Sequence, residues 1–219
     1  MCLGGAVLMY KIFKRIIDIT LSVIGLIFLF LPMILIALAI VLDSEGKILF
    51  KQKRLGKNQK IFTIYKFRTM IPNAYEIGGT NTYEGDPRIT RVGNFLRKSS
   101  LDELPQLLNI IKGEMSIIGP RPILEEEFTD YKDISHYAER FSVLPGLFCT
   151  VDLDYRAQAS REIQFEKDLE YCSSITLIND IKIFFGVLKT VLTGSNVYGD
   201  KPVNAEEQQE AVTINSDEE

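Results

Sequence analysis

A long uncharged stretch near the start of this 219-residue chain limits the ways in which it can fold. Residues 19–42 contain no Asp, Glu, Lys or Arg and consist mainly of Leu, Ile, Val and Phe. Such a stretch is long enough to cross the hydrocarbon core of a bilayer. It is too long for a cleavable signal peptide, and no small-residue cleavage site follows it. The sequence therefore predicts a membrane helix.

Flanking charge and one proline indicate that this helix turns back inside the membrane. Pro32 removes a backbone donor and clashes with the preceding turn, so a helix bends there. We predict a re-entrant helix over residues 11–46 that breaks at Leu31-Pro32, after an N-terminal extension at residues 1–10; a simple span is the alternative. Cationic loops prefer the cytoplasmic side, and basic residues flank both ends: Lys11, Lys14, Arg15, Lys47, Lys51, Lys53, Arg54, Lys57 and Lys60.

The acidic residues of the chain are concentrated at its C-terminus. Six of them follow Lys201, and no basic residue does. Without those six the formal charge changes from −4 to +2. A polar, acidic segment without aromatic residues cannot bury enough apolar surface to fold, so residues 201–219 are predicted to be disordered. Residues 47–200 then form one folded domain.

The rare residue types exclude several classes of site. The three cysteines are far apart and form no CxxC motif, which indicates a reducing compartment and no disulfide framework. The only histidine, His136, argues against a His-rich zinc site and a Ser-His-Asp hydrolase. The sequence has no P-loop, dinucleotide-binding or nucleic-acid motif, so no nucleic-acid partner is expected.

Local patterns predict an α+β fold that is mainly helical. Strand-like stretches at residues 48–53 and 61–70, separated by turn residues at 56–59, indicate a small β-hairpin. Helical spacing predicts helices at residues 124–140, 160–171 and 175–192. The last of these has a wide apolar face, which could lie flat on a membrane or pack against the core.

A short acidic motif gives the first indication of chemistry. Ser100 and Glu103 have the spacing of a capping box, which places Asp102 and Glu103 in the first turn of a helix. Free backbone N–H groups and the helix dipole attract anions there, and the nearby Arg97 can bind phosphate through two N–H groups. The alternative is a pair of acids that only stabilises the helix dipole.

A carboxylate and a phosphate at one place need a cation between them. Mg²⁺ suits that position, because it prefers oxygen ligands and is often shared between carboxylates and substrate phosphates. An ionised Asp beside a phosphoryl group can also act as a nucleophile. Asp102 is therefore the candidate for both metal binding and covalent chemistry.

Several separate motifs, in one order, resemble those of the bacterial monotopic phosphoglycosyl transferases, which begin lipid-linked glycan assembly. The resemblance covers residues 11–192. Besides the acidic motif at residues 100–107, it rests on Lys51-Gln52-Lys53-Arg54, Tyr65-Lys66-Phe67-Arg68-Thr69-Met70, Asp86-Pro87-Arg88-Ile89-Thr90, Met115-Ser116-Ile117-Ile118-Gly119-Pro120-Arg121-Pro122 and Pro145-Gly146.

The resemblance implies a two-step reaction. Asp102 attacks the sugar-bearing phosphate of a UDP-sugar, releases UMP and forms a covalent phosphosugar intermediate, with Mg²⁺ bound at that carboxylate. Polyprenyl phosphate, in bacteria undecaprenyl phosphate, then attacks the intermediate. Glu103 is implied to be essential. The phosphate-binding positions implied by the resemblance are Arg97, Arg121, Lys66, Arg68, Arg88 and Arg156.

The resemblance also implies a location and partners. The helix of this family enters and leaves one leaflet at the cytoplasmic face of the bacterial inner membrane, and amphipathic helices of a cytosolic domain lie on the membrane surface. The implied partners are a UDP-sugar, polyprenyl phosphate and membrane phospholipid, while the oligomeric state stays open.

The chain departs from the family at two places. The helix break is Leu31-Pro32 where the family has Ser-Pro. After Pro-Gly the family usually has Ile-Thr-Gly-Trp-Ala-Gln-Val-Asn-Gly-Arg-Asn, whereas residues 147–157 read Leu-Phe-Cys-Thr-Val-Asp-Leu-Asp-Tyr-Arg-Ala, and only Arg156 matches clearly. This second departure concerns nucleotide or sugar recognition. A non-catalytic membrane-bound scaffold or regulator is therefore the alternative function.

Overall fold

A single long helix begins the fold. The computed structural model describes residues 2–79, 81–194 and 197–199, so the predicted tail at 201–219 lies outside the described residues. Helix α1, Cys2–Asp43, has 42 residues, and its part from Met9 to Asp43 is long and apolar enough to cross a membrane. Large apolar side chains along α1 are exposed, such as Phe28 and Leu42. Such a continuous apolar surface indicates membrane association.

Pro32 lies inside α1, and the helix continues on both sides of it. The break predicted at Leu31-Pro32 is thus not visible as a gap in the helix. The re-entrant path stays a prediction, as do the domain boundaries at residues 11, 47 and 200.

Helix α1 packs along the folded domain at three levels. Near its start, Tyr10 donates a hydrogen bond of 2.7 Å to Asp180. In its middle, Leu26 packs with a buried cluster around Ile110. Near its end, Ile40 is buried in another such cluster. The helix is therefore part of the domain's packing, and the domain lies next to the membrane segment.

The predicted β-hairpin is confirmed. Strands β1, Leu49–Leu55, and β2, Ile61–Phe67, pair antiparallel. Strand β2 ends before the predicted residue 70, because Met70 pairs instead with Ile89 in a separate bridge. That bridge holds the chain just after β2 against the residues that lead into the helix Arg91–Lys98.

The rest of the domain is built from short elements, as expected of a mainly helical α+β fold. Helices predicted at residues 160–171 and 175–192 are confirmed as α6 and α7. The α-helices after β2 are α2, Ala74–Gly78; α3, Arg91–Lys98; α4, Leu107–Lys112; α5, Glu125–Thr129; α6, Arg161–Ser173; and α7, Leu177–Thr193. The 3-10 helices are Lys57–Gln59, Leu101–Gln106, Ser135–Ser142, Thr150–Leu153 and Arg156–Gln158.

The single helix predicted at residues 124–140 is wrong. Helix α5 ends at Thr129, and a separate 3-10 helix begins at Ser135. The reason is aromatic packing: the rings of Phe128 and Phe141 lie 4.9 Å apart in an edge-to-face contact. In one continuous helix these residues would be about 20 Å apart, so the chain turns between them to form the core.

A close approach of two backbones positions the segment that carries Arg121. Strand β3, Ser116–Ile118, pairs in parallel with β4, Gly146–Phe148. Just after β3, Gly119 lies so near Gly146 that a Cβ atom on Gly146 would be 2.1 Å from the Gly119 nitrogen. Only glycine fits at this crossing, and the chain then continues through Pro120 to Arg121.

Candidate active site

The acidic pair lies in the 3-10 helix Leu101–Gln106, between α3 and α4. Their predicted placement in a first helical turn is confirmed, but the predicted capping box is wrong. Ser100 adopts a left-handed conformation with φ 55° and its side chain caps nothing. The Glu103 side chain instead contacts Lys66. A tertiary ion pair has replaced the local hydrogen bond that the spacing predicts.

Asp102 is a buried carboxyl group with an altered acidity. Asp102 as a whole is only 9% exposed. Burial raises the pKa of Asp102 to about 6, while Lys66 and Arg97 lower it and Glu103 raises it. The group is thus ionised at neutral pH yet more basic than an ordinary carboxylate, which favours a role as nucleophile.

The pKa of Glu103 is shifted in the opposite direction to that of Asp102. Burial raises its pKa, but attraction by Lys66 and then Arg121 outweighs burial and lowers the pKa overall. Its Oε1 atom lies 2.6 Å from the Lys66 Nζ atom, on strand β2. Two adjacent acids whose environments separate their pKa values are suited to different roles.

Arg97 lies beside Asp102 at the end of α3. Its Nε atom donates to the Thr69 hydroxyl over 2.8 Å, and its Nη1 atom donates to the Thr82 hydroxyl over 2.9 Å. The positive charge acts on Asp102 and lowers the pKa of that carboxyl. Arg97 is therefore placed as predicted, next to the acidic pair.

Arg121 is held from its backbone and from its side chain. Its backbone N–H donates to Asp168 over 3.1 Å, and its carbonyl oxygen accepts from Arg140 over 2.6 Å. Arg140 and Asp168 themselves form a buried ion pair. The Arg121 Nη1 atom lies 2.7 Å from Asp152. The Arg121 charge also acts on Glu103, so Arg121 belongs to the same site.

Asp152 is a site residue that the sequence reasoning missed. It lies in the 3-10 helix Thr150–Leu153 and is buried, within the stretch that departs from the family pattern. The only signal was an acid between two apolar residues, Val151 and Leu153. Arg156 follows close by and donates to the Ser100 hydroxyl over 2.9 Å. The charges of Glu103 and Asp102 act on Arg156, so it belongs to the same site, and its role in phosphate binding stays a prediction.

These residues are called the charged cluster below. It combines three acids with four bases on five separate segments: Asp102, Glu103, Asp152, Lys66, Arg97, Arg121 and Arg156. Positive side chains near the buried acidic pair can neutralise phosphate oxygens while a carboxylate of that pair attacks phosphorus. The arrangement is therefore suited to phosphoryl transfer.

Two of the predicted phosphate-binding residues lie elsewhere. Arg68 donates to the carbonyls of Ser44, over 2.7 Å, and of Glu45, so it holds the chain just after α1. Arg88 is fully buried, pairs with Asp86 at 2.7 Å and binds carbonyls of the 74–81 segment. The structure brings neither guanidinium into the charged cluster.

The charged cluster would hold a magnesium ion only together with ligands from outside the protein, such as substrate phosphates. Within residues 2–79, 81–194 and 197–199, no three or more His, Cys, Asp or Glu side chains are grouped to hold a metal. Mg²⁺ does not need such a group, because it usually binds one or two carboxylates together with waters and substrate phosphates. Asp102, a buried carboxylate beside Glu103, meets that requirement.

The charged cluster and α1 together define a membrane-associated protein equipped for phosphate chemistry. Comparison of sequences identifies the family. The pattern of the family described as "Bacterial sugar transferase" matches residues 9–194. The chain belongs to this family. The resemblance described from the motifs is thereby confirmed.

Individual relatives are named as sugar phosphotransferases. "UDP-N-acetylgalactosamine-undecaprenyl-phosphate N-acetylgalactosaminephosphotransferase" of Aeromonas hydrophila is 41% identical over 191 residues, covering 84% of this chain and 45% of the relative. "UDP-glucose:undecaprenyl-phosphate glucose-1-phosphate transferase" of Escherichia coli (strain K12) is 38% identical over 181 residues, covering 80% and 39%. The chain thus spans less than half of either relative.

A third relative is similar in length to this chain. "Exopolysaccharide production protein PSS" of Rhizobium leguminosarum bv. phaseoli is 37% identical over 199 residues, covering 83% of this chain and 96% of the relative. The family pattern itself, at residues 9–194, includes most of the long apolar helix and all of the charged cluster.

Proposed function

We propose that this protein transfers a sugar-1-phosphate from a UDP-sugar to undecaprenyl phosphate, releasing UMP, at the cytoplasmic face of a bacterial inner membrane. The observation that carries the proposal is Asp102, a buried carboxylate whose pKa is raised and on which the charges of Lys66, Arg97 and Arg156 act, while Arg121 acts on the adjacent Glu103. The names of the relatives support the donor class and the acceptor. The reaction is the first membrane step in assembling a glycoconjugate.

In the first step, an Asp102 oxygen attacks the sugar-bearing phosphorus of the donor. The bond between that phosphorus and the oxygen of UMP breaks, UMP leaves with the electron pair, and an acyl phosphate that joins the Asp102 carboxyl group to the sugar phosphate remains. In the second step, an oxygen of undecaprenyl phosphate attacks the same phosphorus and Asp102 is released. Arg97, Arg121 and Arg156 offset the phosphate charge in both steps.

The two remaining polar groups have supporting roles. Lys66 lies against Glu103 and keeps that acid ionised next to Asp102. Mg²⁺, held by Asp102 and the donor phosphates, would supply further charge neutralisation. Glu103 would assist the acceptor phosphate or help to hold the metal.

Release of UMP tests this proposal directly. The purified full chain is incubated with Mg²⁺, undecaprenyl phosphate and UDP-glucose, UDP-galactose or UDP-N-acetylgalactosamine in turn. Without the acceptor, a covalent mechanism predicts one equivalent of UMP per enzyme and a protein mass increased by the sugar phosphate. With the acceptor, release continues. Folded protein that releases no UMP from any donor would favour the scaffold alternative.

Arg121→Ala is expected to weaken use of the donor. Loss of a charge-assisted hydrogen bond to phosphate costs about 1.5–3 kcal/mol, so the donor KM should rise roughly tenfold to a hundredfold, with a smaller change in kcat. Steady-state UMP release measures both constants. Lys98→Ala removes an exposed positive charge near the same site and should leave KM unchanged. Equal KM values for wild type and Arg121→Ala would contradict the phosphate role.

The outer face of α7 is proposed to rest on the membrane next to α1. Its exposed apolar side chains include Ile178, Phe185 and Leu192, exposed by 68%, 62% and 78%. Asp180 on α7 accepts hydrogen bonds from Tyr10 and Lys14 of α1, each over 2.7 Å. The apolar face of α7 therefore continues from the membrane helix, as expected for an interfacial helix.

A tryptophan reporter checks the position of α7. The chain contains no tryptophan, so Phe185→Trp introduces a single emitter. In vesicles we expect blue-shifted emission and quenching by lipids brominated on their acyl chains, since an aromatic ring favours the membrane interface. Ser135→Trp, at an exposed position, should show neither. Equal quenching of the two variants would contradict membrane contact by α7.

A further inference from the structure

Asp152 is the acid of the charged cluster that contacts an arginine rather than the lysine. Its Oδ1 atom lies 2.7 Å from the Arg121 Nη1 atom, and its side chain is 10% exposed, against 36% for Arg121. The acid is thus the more buried partner, and the Arg121 side chain is the more exposed one. A phosphate that reaches Arg121 meets a guanidinium already paired with a carboxylate.

Asp152 is not required to hold the Arg121 segment in place. The Asp168 and Arg140 pair already fixes the backbone of Arg121 through its N–H and its carbonyl oxygen. The crossing of Gly119 and Gly146 fixes the chain just before it. The contact with Asp152 therefore acts on the guanidinium alone, where its effect is on charge and orientation.

The consequence for phosphate binding follows from competition for one cation. A carboxylate and a phosphate are both anionic acceptors for guanidinium N–H groups. A buried negative charge paired with Arg121 lowers the positive potential that this guanidinium offers to a phosphate.

We propose that Asp152 is an internal counter-ion of Arg121 that weakens the hold of the site on nucleotide phosphate, so that UMP leaves readily after the first transfer. Asp152 is thereby a positioning residue, since it acts through Arg121 and touches no substrate. The inference rests on the proposed function, because UMP is the product of that reaction. It goes beyond it by assigning product release to one residue.

The test is the affinity of the full chain for UMP, measured by calorimetry at constant Mg²⁺. Asp152→Asn keeps a hydrogen-bond acceptor but removes the charge. We expect UMP to bind about tenfold more tightly, the donor KM to fall by a similar factor, and kcat to stay level or fall. Asp154→Asn removes a charge from an exposed neighbour in the same segment and should change none of these.

Two further variants make the test decisive. Asp152→Gln also replaces the charge by a neutral amide and serves where Asp152→Asn folds poorly; it should also bind UMP more tightly. In an Arg121→Met background, Asp152→Asn should cause no further change. Unchanged or weaker UMP binding by both Asp152 variants overturns the inference, as does an equal gain in Asp154→Asn or a gain that persists without Arg121.

The outcomes separate this inference from the proposed reaction. Turnover by wild type together with unchanged UMP affinity in the Asp152 variants would refute the inference and keep the reaction. Tighter UMP binding in those variants, with no turnover by wild type on any donor, would support Asp152 as a counter-ion of Arg121 but refute the reaction and, with it, the role in product release.

Discussion

Asp102→Asn is expected to abolish turnover and to stabilise the fold. The amide has nearly the shape of the carboxyl group but cannot attack phosphorus, so UMP release should fall to background. Burial has raised the pKa of Asp102 from 3.8 to about 6, which corresponds to an unfavourable free energy of ionisation on the order of 3 kcal/mol. The neutral side chain of the variant avoids that cost. In the wild type, the buried carboxylate lowers stability for the sake of activity, as is common at enzyme sites.

The stability gain has a defined dependence on pH. A group whose pKa is higher in the folded state binds more protons there, so the stability it contributes is lost as pH rises. For Asp102 that loss falls between about pH 4, near its unfolded value, and about pH 6. The variant should therefore exceed wild type in stability above pH 6 and match it towards pH 4. Thermal unfolding in a metal chelator, followed by circular dichroism, measures this difference.

Glu103→Gln is the matched control for Asp102→Asn. It makes the same chemical change at the adjacent position, where the pKa is lowered instead of raised. The ionised form stabilises the fold in that case, so the amide should destabilise it at neutral pH. Near-normal turnover by Asp102→Asn would exclude Asp102 as nucleophile. Equal unfolding temperatures of wild type and Asp102→Asn at pH 8 would contradict the burial penalty.

Arg88→Met is expected to lower the free energy of unfolding by about 3–5 kcal/mol, because it leaves the buried carboxylate of Asp86 without a partner. Carbonyl oxygens of Ala74, Gly79 and Asn81 lose their donor as well. The segment around α2 should then be the first to become accessible to a protease. Urea unfolding followed by circular dichroism gives the free energy, and limited proteolysis locates the change.

Two controls separate a structural role of Arg88 from phosphate binding. Arg91→Met removes an exposed arginine three residues away and should change stability by less than about 0.5 kcal/mol. Asp86→Asn combined with Arg88→Met removes both buried charges and should recover part of the loss. Wild-type stability of Arg88→Met with a raised donor KM would return Arg88 to the phosphate-binding role that the motif resemblance implies.

The sequence predicted elements whose signal is local. The hairpin of β1 and β2, and helices α6 and α7, follow from spacing and turn residues. The acidic pair at Asp102 and Glu103 was also recognised, because adjacent acids near an arginine suggest phosphate chemistry on electrostatic grounds. Local patterns were misleading where distant residues compete for the same side chain: Lys66 takes Glu103 away from the capping box.

The sequence motifs alone do not determine the roles of the arginines. Arg88, Arg97 and Arg121 all stand in motifs that resemble phosphate-binding ones, yet Arg88 is buried against Asp86 and Arg121 is paired with Asp152. An arginine carries the same charge and the same N–H groups wherever it lies. Its role depends on which acceptors surround it, and those acceptors come from segments far away in the chain.

The sequence by itself determined the long apolar helix, the family of the chain and the acid expected to react, since apolar length, motif order and side-chain chemistry are properties of residues along the chain. Only the tertiary structure decided that residues 124–140 form two helices, that Arg68 and Arg88 lie outside the charged cluster, and that Asp152 lies inside it. Burial and ion pairing depend on distances in space between residues that are remote in sequence, and folding alone sets those distances.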